Sequence, residues 1–204
     1  NPNPKPKGKT QMRSELLSEF LACTATIPIE ISHKIASGSE VVTSSEVELA
    51  VDRLAVRLTV DLQDQNPILL TVLHGGLVFA GMLLRRMVFP CEIGYVHTTR
   101  YGSATSGAEL DWRSQDFPDL TGRAVVIIDD ICDEGKTMAA LIKFCREQGA
   151  NPVRSAVLVA RKGVARSVEC DYAALHVGPG FLIGCGMDIA GYGRDLPGIY
   201  KLED

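Results

Sequence analysis

The chain has 204 residues, of which 46% are hydrophobic and 23% are charged, and its formal net charge is −4 with a pI of about 5.6. This size suits one globular domain, and the weak negative charge disfavours nucleic acid as a partner. No apolar run approaches the roughly 18 residues of a membrane span, and six scattered cysteines without a C-x-x-C pair indicate reduced thiols and a cytoplasmic location.

The beginning of the chain predicts a tail followed by helices. Residues 1–13 are rich in Pro and Lys and predict a mobile tail ahead of a single domain over 14–204. Apolar residues within 14–22 indicate a short helix. Ser45 followed by Glu48 has the pattern of a capping box, and the apolar residues after it recur at helical spacing.

From residue 67 onward, strand patterns alternate with helix patterns. Buried strands are predicted at PILLTVL, CEIGYVHTT, AVVIIDDI and VRSAVLVA, and helices at LVFAGMLLRRM and 137–148. The alternation is typical of an α/β fold in which helices cover both faces of a parallel sheet. Ligands of such sheets bind beyond the carboxyl ends of the strands, where the loops HGG at 74–76 and DICDEGKT at 130–137 begin.

The second of these loops contains several carboxylates and ends in GKT, a sequence typical of phosphate-binding loops. A Walker A loop requires Gly at the position of Asp130, so the ATPase interpretation fails. The backbone N–H groups of 134–137 still lie at a predicted helix start, where the helix dipole and the Thr137 hydroxyl favour one phosphate. Asp129 and Asp130 lie outside that cup and can accept hydrogen bonds from hydroxyls or help to hold hydrated Mg²⁺. The combination predicts a ribose 5-phosphate ligand.

The stretch VVIIDDICDEGKT resembles the phosphoribosyl-pyrophosphate (PRPP) signature of type I phosphoribosyltransferases. Two further stretches, LTVLHGGLVFAGMLLRRM and GCGMDIAGYGRDLPGIYKL, resemble the pyrophosphate loop and the C-terminal signature of the hypoxanthine-guanine branch, so the resemblance covers roughly 30–202. It implies the type I phosphoribosyltransferase fold, with a parallel core sheet of about five strands within about 44–162. It also implies a small hood, from about 14–43 and 163–204, that covers the base.

The resemblance implies purine salvage, in which 5-phosphoribosyl passes from PRPP to a 6-oxopurine, pyrophosphate is released and Mg²⁺ is used. It assigns the general base to Asp133, and the metal and ribose hydroxyls to Asp129 and Asp130. The PRPP-binding residues that it implies are His74, Gly75, Tyr101, Asp129, Asp130, Glu134, Gly135, Lys136, Thr137 and Arg194.

Base recognition is expected from the strand that follows. Relatives place a Lys there to donate to the purine O6, and we assign Lys162, with Arg161 as the alternative. Tyr172 is expected to stack on the purine with Ala173 beside it, and Ile131 to touch the other face.

Three positions depart from the family pattern. His74 stands where many relatives carry Lys or Arg, so the charge at pyrophosphate is expected to depend on pH. Arg100 and Tyr101 stand where a Ser-Tyr pair is usual. Pro179 stands where relatives often place an Asp, which leaves open a second metal site and the ranking of guanine against hypoxanthine.

The segment 100–123 is much longer than the usual connection of about 4–6 residues. Its small residues, and the loop that the family closes over PRPP, predict a flexible lid loop that carries Tyr101. Trp112 lies at the far end of the segment, where it is expected to report closure.

Two alternative functions remain. One is a phosphoribosyltransferase for another base, such as xanthine, since the basic pair at 161–162 disfavours adenine. The other is a PRPP-sensing regulator without catalysis, which the negative charge and the presence of Asp133 disfavour. Family members are usually homodimers or homotetramers, and the sequence does not show which.

Overall fold

A computed structural model of the protein describes residue 22 and residues 27–100 and 110–203. The helices are α1 (Ile29–Ala36), α2 (Ser44–Leu62), α3 (Gly76–Leu84) and α4 (Lys136–Glu147). The strands are β1 (Ser39–Val42), β2 (Ile68–Leu73), β3 (Glu92–Arg100), β4 (Leu110–Asp116), β5 (Val125–Cys132), β6 (Val153–Arg161), β7 (Tyr172–Val177), β8 (Phe181–Ile183) and β9 (Ile199–Leu202). The tail, the expected helix over 14–21 and the front of the lid segment, including Tyr101, lie outside the described residues.

The large sheet has six strands in the order β4-β3-β2-β5-β6-β7. All neighbours in it are parallel except β3 and β4, so the expected α/β fold with about five parallel strands is confirmed. The antiparallel edge strand β4 takes up the back half of the segment that was predicted to be one long loop. The other edge is β7, and it pairs with β6 although the hood was expected to begin at residue 163.

A second, antiparallel sheet has three strands in the order β1-β9-β8. In this sheet β9 lies between the other two strands: Ser39 of β1 pairs with Lys201, and Phe181 of β8 pairs with Leu202. Its own small core includes Ile35, Ile183, Leu196, Tyr200 and Leu202. This sheet and α1 form what we call the hood.

Helices cover both faces of the large sheet, and the buried side chains of β5 show how. Val126 and Ile128 belong to the core beneath α2 and α3. Val125 and Ile127 point to the opposite face and belong to the core beneath α4. A strand that is buried on both faces reads as a continuous apolar run, which is why VVII predicted β5 correctly.

Helix α2 begins two residues earlier than the sequence pattern indicated. Its N-cap is Thr43, whose hydroxyl accepts from the Glu46 N–H at 3.3 Å, while the Glu46 carboxylate accepts from the Thr43 N–H at 2.8 Å. The capping box is therefore Thr43 with Glu46, and the expected pairing of Ser45 with Glu48 was wrong. The two S/T-x-x-E patterns overlap in the sequence, and the end of β1 at Val42 selects the first.

The order of the strands brings the candidate residues together. The strands β2, β5 and β6 are adjacent and parallel, so the loops that follow Leu73, Cys132 and Arg161 leave the sheet at the same edge. None of the described helices has the length and apolar character needed to cross a bilayer.

Candidate active site

The loop after β5, residues 133–137, forms a cup at the start of α4. Gly135 has a left-handed φ of 71°, and a Cβ at this position would lie 2.9 Å from the Val168 carbonyl oxygen. The Ser167 N–H donates to the Glu134 carbonyl at 2.8 Å, which fixes the loop from its outer side. A cavity of about 300 Å³ is lined by residues 129–138. The first turn of α4 thus presents its N–H groups to the space that the acids also line.

Two adjacent acids stand at the mouth of this cavity. Asp130 is buried and Asp129 is half-buried, and the Asp130 N–H donates to the Asp129 carboxylate at 2.9 Å. Burial and the neighbouring Asp130 carboxylate raise the pKa of Asp129 well above its ordinary value. Burial also raises the pKa of Asp130. A cation at this pair would relieve the repulsion, so the donor set suits a hard divalent ion such as Mg²⁺.

The loop after β2 passes directly over the acids. A Cβ on Gly75 would collide with the Asp130 carboxylate, and a Cβ on Gly76 would lie 2.7 Å from the Ile128 carbonyl oxygen. The peptide bond between Leu73 and His74 is cis. The backbone of Gly75 therefore lies against Asp130, where the sequence predicted that both residues would contact PRPP.

The hood supplies a cation and an acid to the same place. A Cβ on Gly186 would collide with the Gly75 carbonyl, so the hood backbone contacts the β2 loop. Arg194 donates to the Gly186 carbonyl at 2.5 Å and forms an ion pair with Asp188 at 2.7 Å. Its charge also opposes the effect of burial on the pKa of Asp130, which places the guanidinium within electrostatic reach of that acid. Arg194 thus lies beside the predicted pyrophosphate loop.

Asp188 was not singled out from the sequence, yet it lines the pocket together with Asp130 and Asp133. Pro179 was expected to leave open whether a second metal site exists, and Asp188 supplies a carboxylate to this pocket. Asp188 falls within the C-terminal signature but is separated from the other acids by more than fifty residues. Only the packing of the hood on the sheet brings it there.

The pocket next to the acids has a volume of about 230 Å³ and is lined by Asp130, Ile131, Asp133, Arg161, Phe181, Leu182, Met187 and Asp188. Arg161 is only 8% exposed, and its Nε lies 3.7 Å from the Asp133 carboxylate. Its Nη1 donates to the Gly178 carbonyl at 2.9 Å, which orients the guanidinium. The pocket combines one fixed cation with an apolar wall, as a flat heterocycle with a polar edge requires.

Lys162 does not belong to this pocket. Its side chain is exposed, and its backbone N–H donates to the Val177 carbonyl at 2.8 Å. The structure thus places Arg161, the alternative named from the sequence, in the pocket and leaves Lys162 outside it. Adjacent residues at a strand end point in opposite directions, and Arg161 points inward.

Tyr172, which was expected to stack on the purine, does not line this pocket. It lies at the amino end of β7, away from the edge that carries the loops. Its hydroxyl donates to Asp61 at 2.7 Å and accepts from Arg154 at 2.6 Å, so it links β7 to α2 and β6. Ala173 lines a different groove, against α2, and is also removed from the site.

The aromatic side chain in the pocket is Phe181, at the start of β8. It is 49% exposed, which is unusual for Phe and leaves a ring face open. Ile131, predicted to touch the base, lines the same pocket. No local pattern in the sequence singles out Phe181, which lies at the start of the short strand β8.

Across the described residues, no group of three or more His, Cys, Asp or Glu side chains is placed to enclose a metal ion. Asp129 and Asp130 line the same cavity as the phosphate cup. The remaining predicted contacts, Glu134, Lys136 and Thr137, all line the cup, and Lys136 forms an ion pair with Glu134 at 2.6 Å.

Sequence comparison finds the same relationship that the motifs indicated. The profile of the phosphoribosyl transferase domain matches residues 37–189. A hypoxanthine-guanine phosphoribosyltransferase of Streptococcus pneumoniae is 30% identical over 166 residues, which make up 80% of this chain and 92% of that protein. One from Streptococcus agalactiae is 29% identical over 164 residues, covering 79% of this chain and 91% of that protein.

Solved structures agree with the sequence comparison. A hypoxanthine-guanine-xanthine phosphoribosyltransferase superposes with a TM-score of 0.70 at 26% identity, covering 81% of this chain and 96% of that one. A Trypanosoma cruzi hypoxanthine phosphoribosyltransferase in complex with the product IMP shares the fold, with a TM-score of 0.74 at 23% identity over 80% of this chain and 94% of that one. The chain therefore belongs to the phosphoribosyltransferase family, on its hypoxanthine-guanine branch.

Proposed function

We propose that the protein transfers 5-phosphoribosyl from PRPP to a 6-oxopurine, hypoxanthine or guanine, with release of pyrophosphate. The observation that carries this proposal is the position of Asp133. It stands between the phosphate cup, which it helps to line, and the pocket that holds Arg161. A ribose 5-phosphate in the cup and a purine in the pocket would therefore meet at one carboxylate.

The phosphate cup and the acid pair hold the sugar. The N–H groups at the start of α4 and the Thr137 hydroxyl bind the 5-phosphate. Asp129 and Asp130 accept hydrogen bonds from the ribose hydroxyls and would hold Mg²⁺, which supplies charge neutralisation for the departing pyrophosphate. Their negative charge also stabilises the oxocarbenium-like sugar that forms as the C1–O bond breaks.

Asp133 acts as the general base for the proton on the purine N7 as the new C1–N9 bond forms. The side chain is more than half exposed at the pocket and lies beside the Arg161 guanidinium. That neighbour keeps a positive charge near the carboxylate. Proton removal and base recognition are thus placed on adjacent groups.

Base selection falls to Arg161 and the walls of the pocket. Arg161 donates to the purine O6, whereas the 6-amino group of adenine is itself a donor and finds no acceptor there. Phe181 stacks on one face of the ring and Ile131 contacts the other. Xanthine shares the O6 acceptor, so a xanthine activity is the second candidate that the pocket supports.

The pyrophosphate end of PRPP is bound by the His74–Gly75 loop and by Arg194. Glycine at 75 allows the backbone to approach Asp130, and a guanidinium matches phosphate oxygens through its planar fork. Asp188, paired with Arg194, lies where it can orient that guanidinium or share a second cation.

Organisation and location form part of the same proposal. A core within about 44–162, extended by β7, carries PRPP, and the hood covers the base. A homodimer or homotetramer is supported by six large apolar side chains that are more than half exposed among the described residues: Ile29, Val56, Val60, Leu77, Val88 and Ile93. Light scattering of the purified protein tests the oligomer, and cell fractionation tests a cytoplasmic location.

Steady-state assays test the function directly. Purified protein is supplied with Mg²⁺, PRPP and each of hypoxanthine, guanine, xanthine and adenine, and nucleotide and pyrophosphate are measured together. We expect turnover with hypoxanthine or guanine and at most trace turnover with adenine. PRPP binding without turnover of any base would indicate the regulator instead, and turnover of adenine alone would contradict the role of Arg161.

A further inference from the structure

Two histidines meet at the predicted pyrophosphate loop. His74 follows β2 directly, and His97 lies on the neighbouring strand β3, where it pairs with Leu73. The two imidazole rings contact edge to face, with centroids 4.4 Å apart and an interplanar angle of 62°. His74 is exposed and His97 is half-buried, and the residue after His74, Gly75, lies against the Asp130 carboxylate.

The surroundings of His97 disfavour its protonated form in the free protein. Burial lowers the pKa of His97, and positive charge on His74 and Arg113 lowers it further. The other charged residues on β3, β4 and β5 are Glu92, Arg100, Asp111, Asp116, Asp129 and Asp130, and the hood brings Asp188 and Arg194 to the same loop. Protonation of both rings at once is therefore unfavourable until an anion arrives.

We propose that His74 and His97 form a proton-carrying pair that binds the pyrophosphate group of PRPP and takes up protons as it does so. The inference rests on the proposed function, because it needs PRPP in this site. His74 is the contacting residue, and His97 is a positioning residue that fixes the ring of His74 and carries a second, adjacent charge. Neither proton uptake nor His97 is required by the phosphate cup or by the base pocket.

The sign of the pH dependence follows from the charges. A diphosphate between or beside the rings favours the protonated form of each, so binding raises their proton occupancy. Affinity for PRPP then falls as pH rises through the range in which imidazoles titrate, around pH 6.5. A Lys at position 74 would stay charged throughout this range and would abolish most of the dependence.

Isothermal titration calorimetry with Mg-PRPP, between pH 6 and pH 8.5, tests the pair. Each titration is run in two buffers of different ionisation enthalpy, so that protons taken up are counted directly. The variants are His74→Lys, which keeps a fixed charge, and His97→Phe, which keeps an edge-to-face ring without a proton. His33→Asn, on the exposed surface of α1, is the matched control.

Between pH 6.5 and pH 8 we expect the Kd for Mg-PRPP to rise in the wild type by about 10- to 30-fold more than it rises in His74→Lys. The reason is that each proton taken up on binding changes the Kd by up to tenfold per pH unit. His97→Phe should show less proton uptake and a shallower slope than the wild type, and His33→Asn should match the wild type. His97→Asn provides a second variant if the Phe variant unfolds at a lower temperature.

The same slope and the same proton count in the wild type, His74→Lys and His97→Phe would overturn this inference while leaving the proposed function standing. Failure of the wild type to bind Mg-PRPP at any pH would overturn both. A shallower slope in His97→Phe at an unchanged melting temperature would support the pair, because a purely structural residue would not change the proton count.

Discussion

Replacement of Arg161 by Ala tests the base pocket most directly. Arg161 is 8% exposed and is oriented by its bond to the Gly178 carbonyl, so its guanidinium is held in place before the base arrives. Loss of one charged hydrogen bond to the purine O6 costs about 1.5–3 kcal/mol, which corresponds to a decrease of about 10- to 150-fold in kcat/KM. The ion pair with Asp133 adds little to this figure because that carboxylate is 57% exposed.

Lys162→Ala is the matched control, since it removes a neighbouring cation that is exposed to solvent. We expect a change of less than about twofold in its kcat/KM, as is usual for a surface charge outside the site. The assay compares initial rates with hypoxanthine, guanine and adenine at saturating Mg-PRPP. Thermal unfolding of each variant is measured alongside, because Arg161 also bonds a backbone carbonyl.

The reasoning would be refuted if Lys162→Ala lost as much activity as Arg161→Ala, or if neither variant lost any. Arg161→Ala should also weaken discrimination against adenine, since the cation that repels the 6-amino group is gone. Equal losses with adenine and with 6-oxopurines would show that Arg161 supports the fold of the pocket and does not read the base.

Three further outcomes are expected. Asp133→Asn should lower kcat by about 10²–10⁴-fold with PRPP affinity little changed, and near-wild-type turnover would remove Asp133 from its role as the base. Asp129→Asn should lower activity yet raise the Tm at pH 7 by about 2–4 °C, the scale of 1 kcal/mol for a chain of this size. Because the folded pKa of Asp129 is raised, stability present at low pH is lost as pH rises, so the Tm gap should close in acid. Phe181→Ala should raise the KM for the base, because it removes a stacked ring worth roughly 1–3 kcal/mol of binding free energy. Tyr172→Phe should leave that KM unchanged and lower the stability of the protein, because it loses the hydrogen bonds to Asp61 and Arg154.

The phosphate loop could be predicted because its residues are contiguous. Within 129–137 the chain itself fixes which groups lie close together, and the resemblance adds their roles. The pattern of continuous apolar strands predicted the parallel sheet for the same local reason. These parts of the site needed no knowledge of how distant segments pack.

The base pocket could not be predicted in the same way. A strand that is buried on both faces shows no alternation, so the sequence gives no indication whether Arg161 or Lys162 points into the site. The segment 162–171 has no regular element, and an aromatic residue at its end is as easily a core residue as a stacker. Tyr172 is a buried core residue, whereas Phe181, nine residues later, lines the pocket.

The strand β4 was missed because its sequence, LDWRSQD, lacks the apolar run of a central strand. It is an edge strand that pairs only with β3, and from Arg113 to Asp116 its side chains are exposed, so polar residues are tolerated.

The contact between Gly75 and Gly186 has a consequence for the mutations that the gene can accept. A side chain at position 75 would collide with the Asp130 carboxylate, and a side chain at position 186 would collide with the Gly75 carbonyl oxygen. Because the two collisions involve different atoms, a substitution at one position cannot compensate for a substitution at the other. Apart from its chain neighbours and the nearby helix backbone, Gly81 in α3 has no atom within 4 Å of its Cβ position, and alanine there would favour the helix. In a library of variants selected for growth on an exogenous 6-oxopurine, positions 75 and 186 should therefore stay invariant and independent, while position 81 drifts freely to alanine.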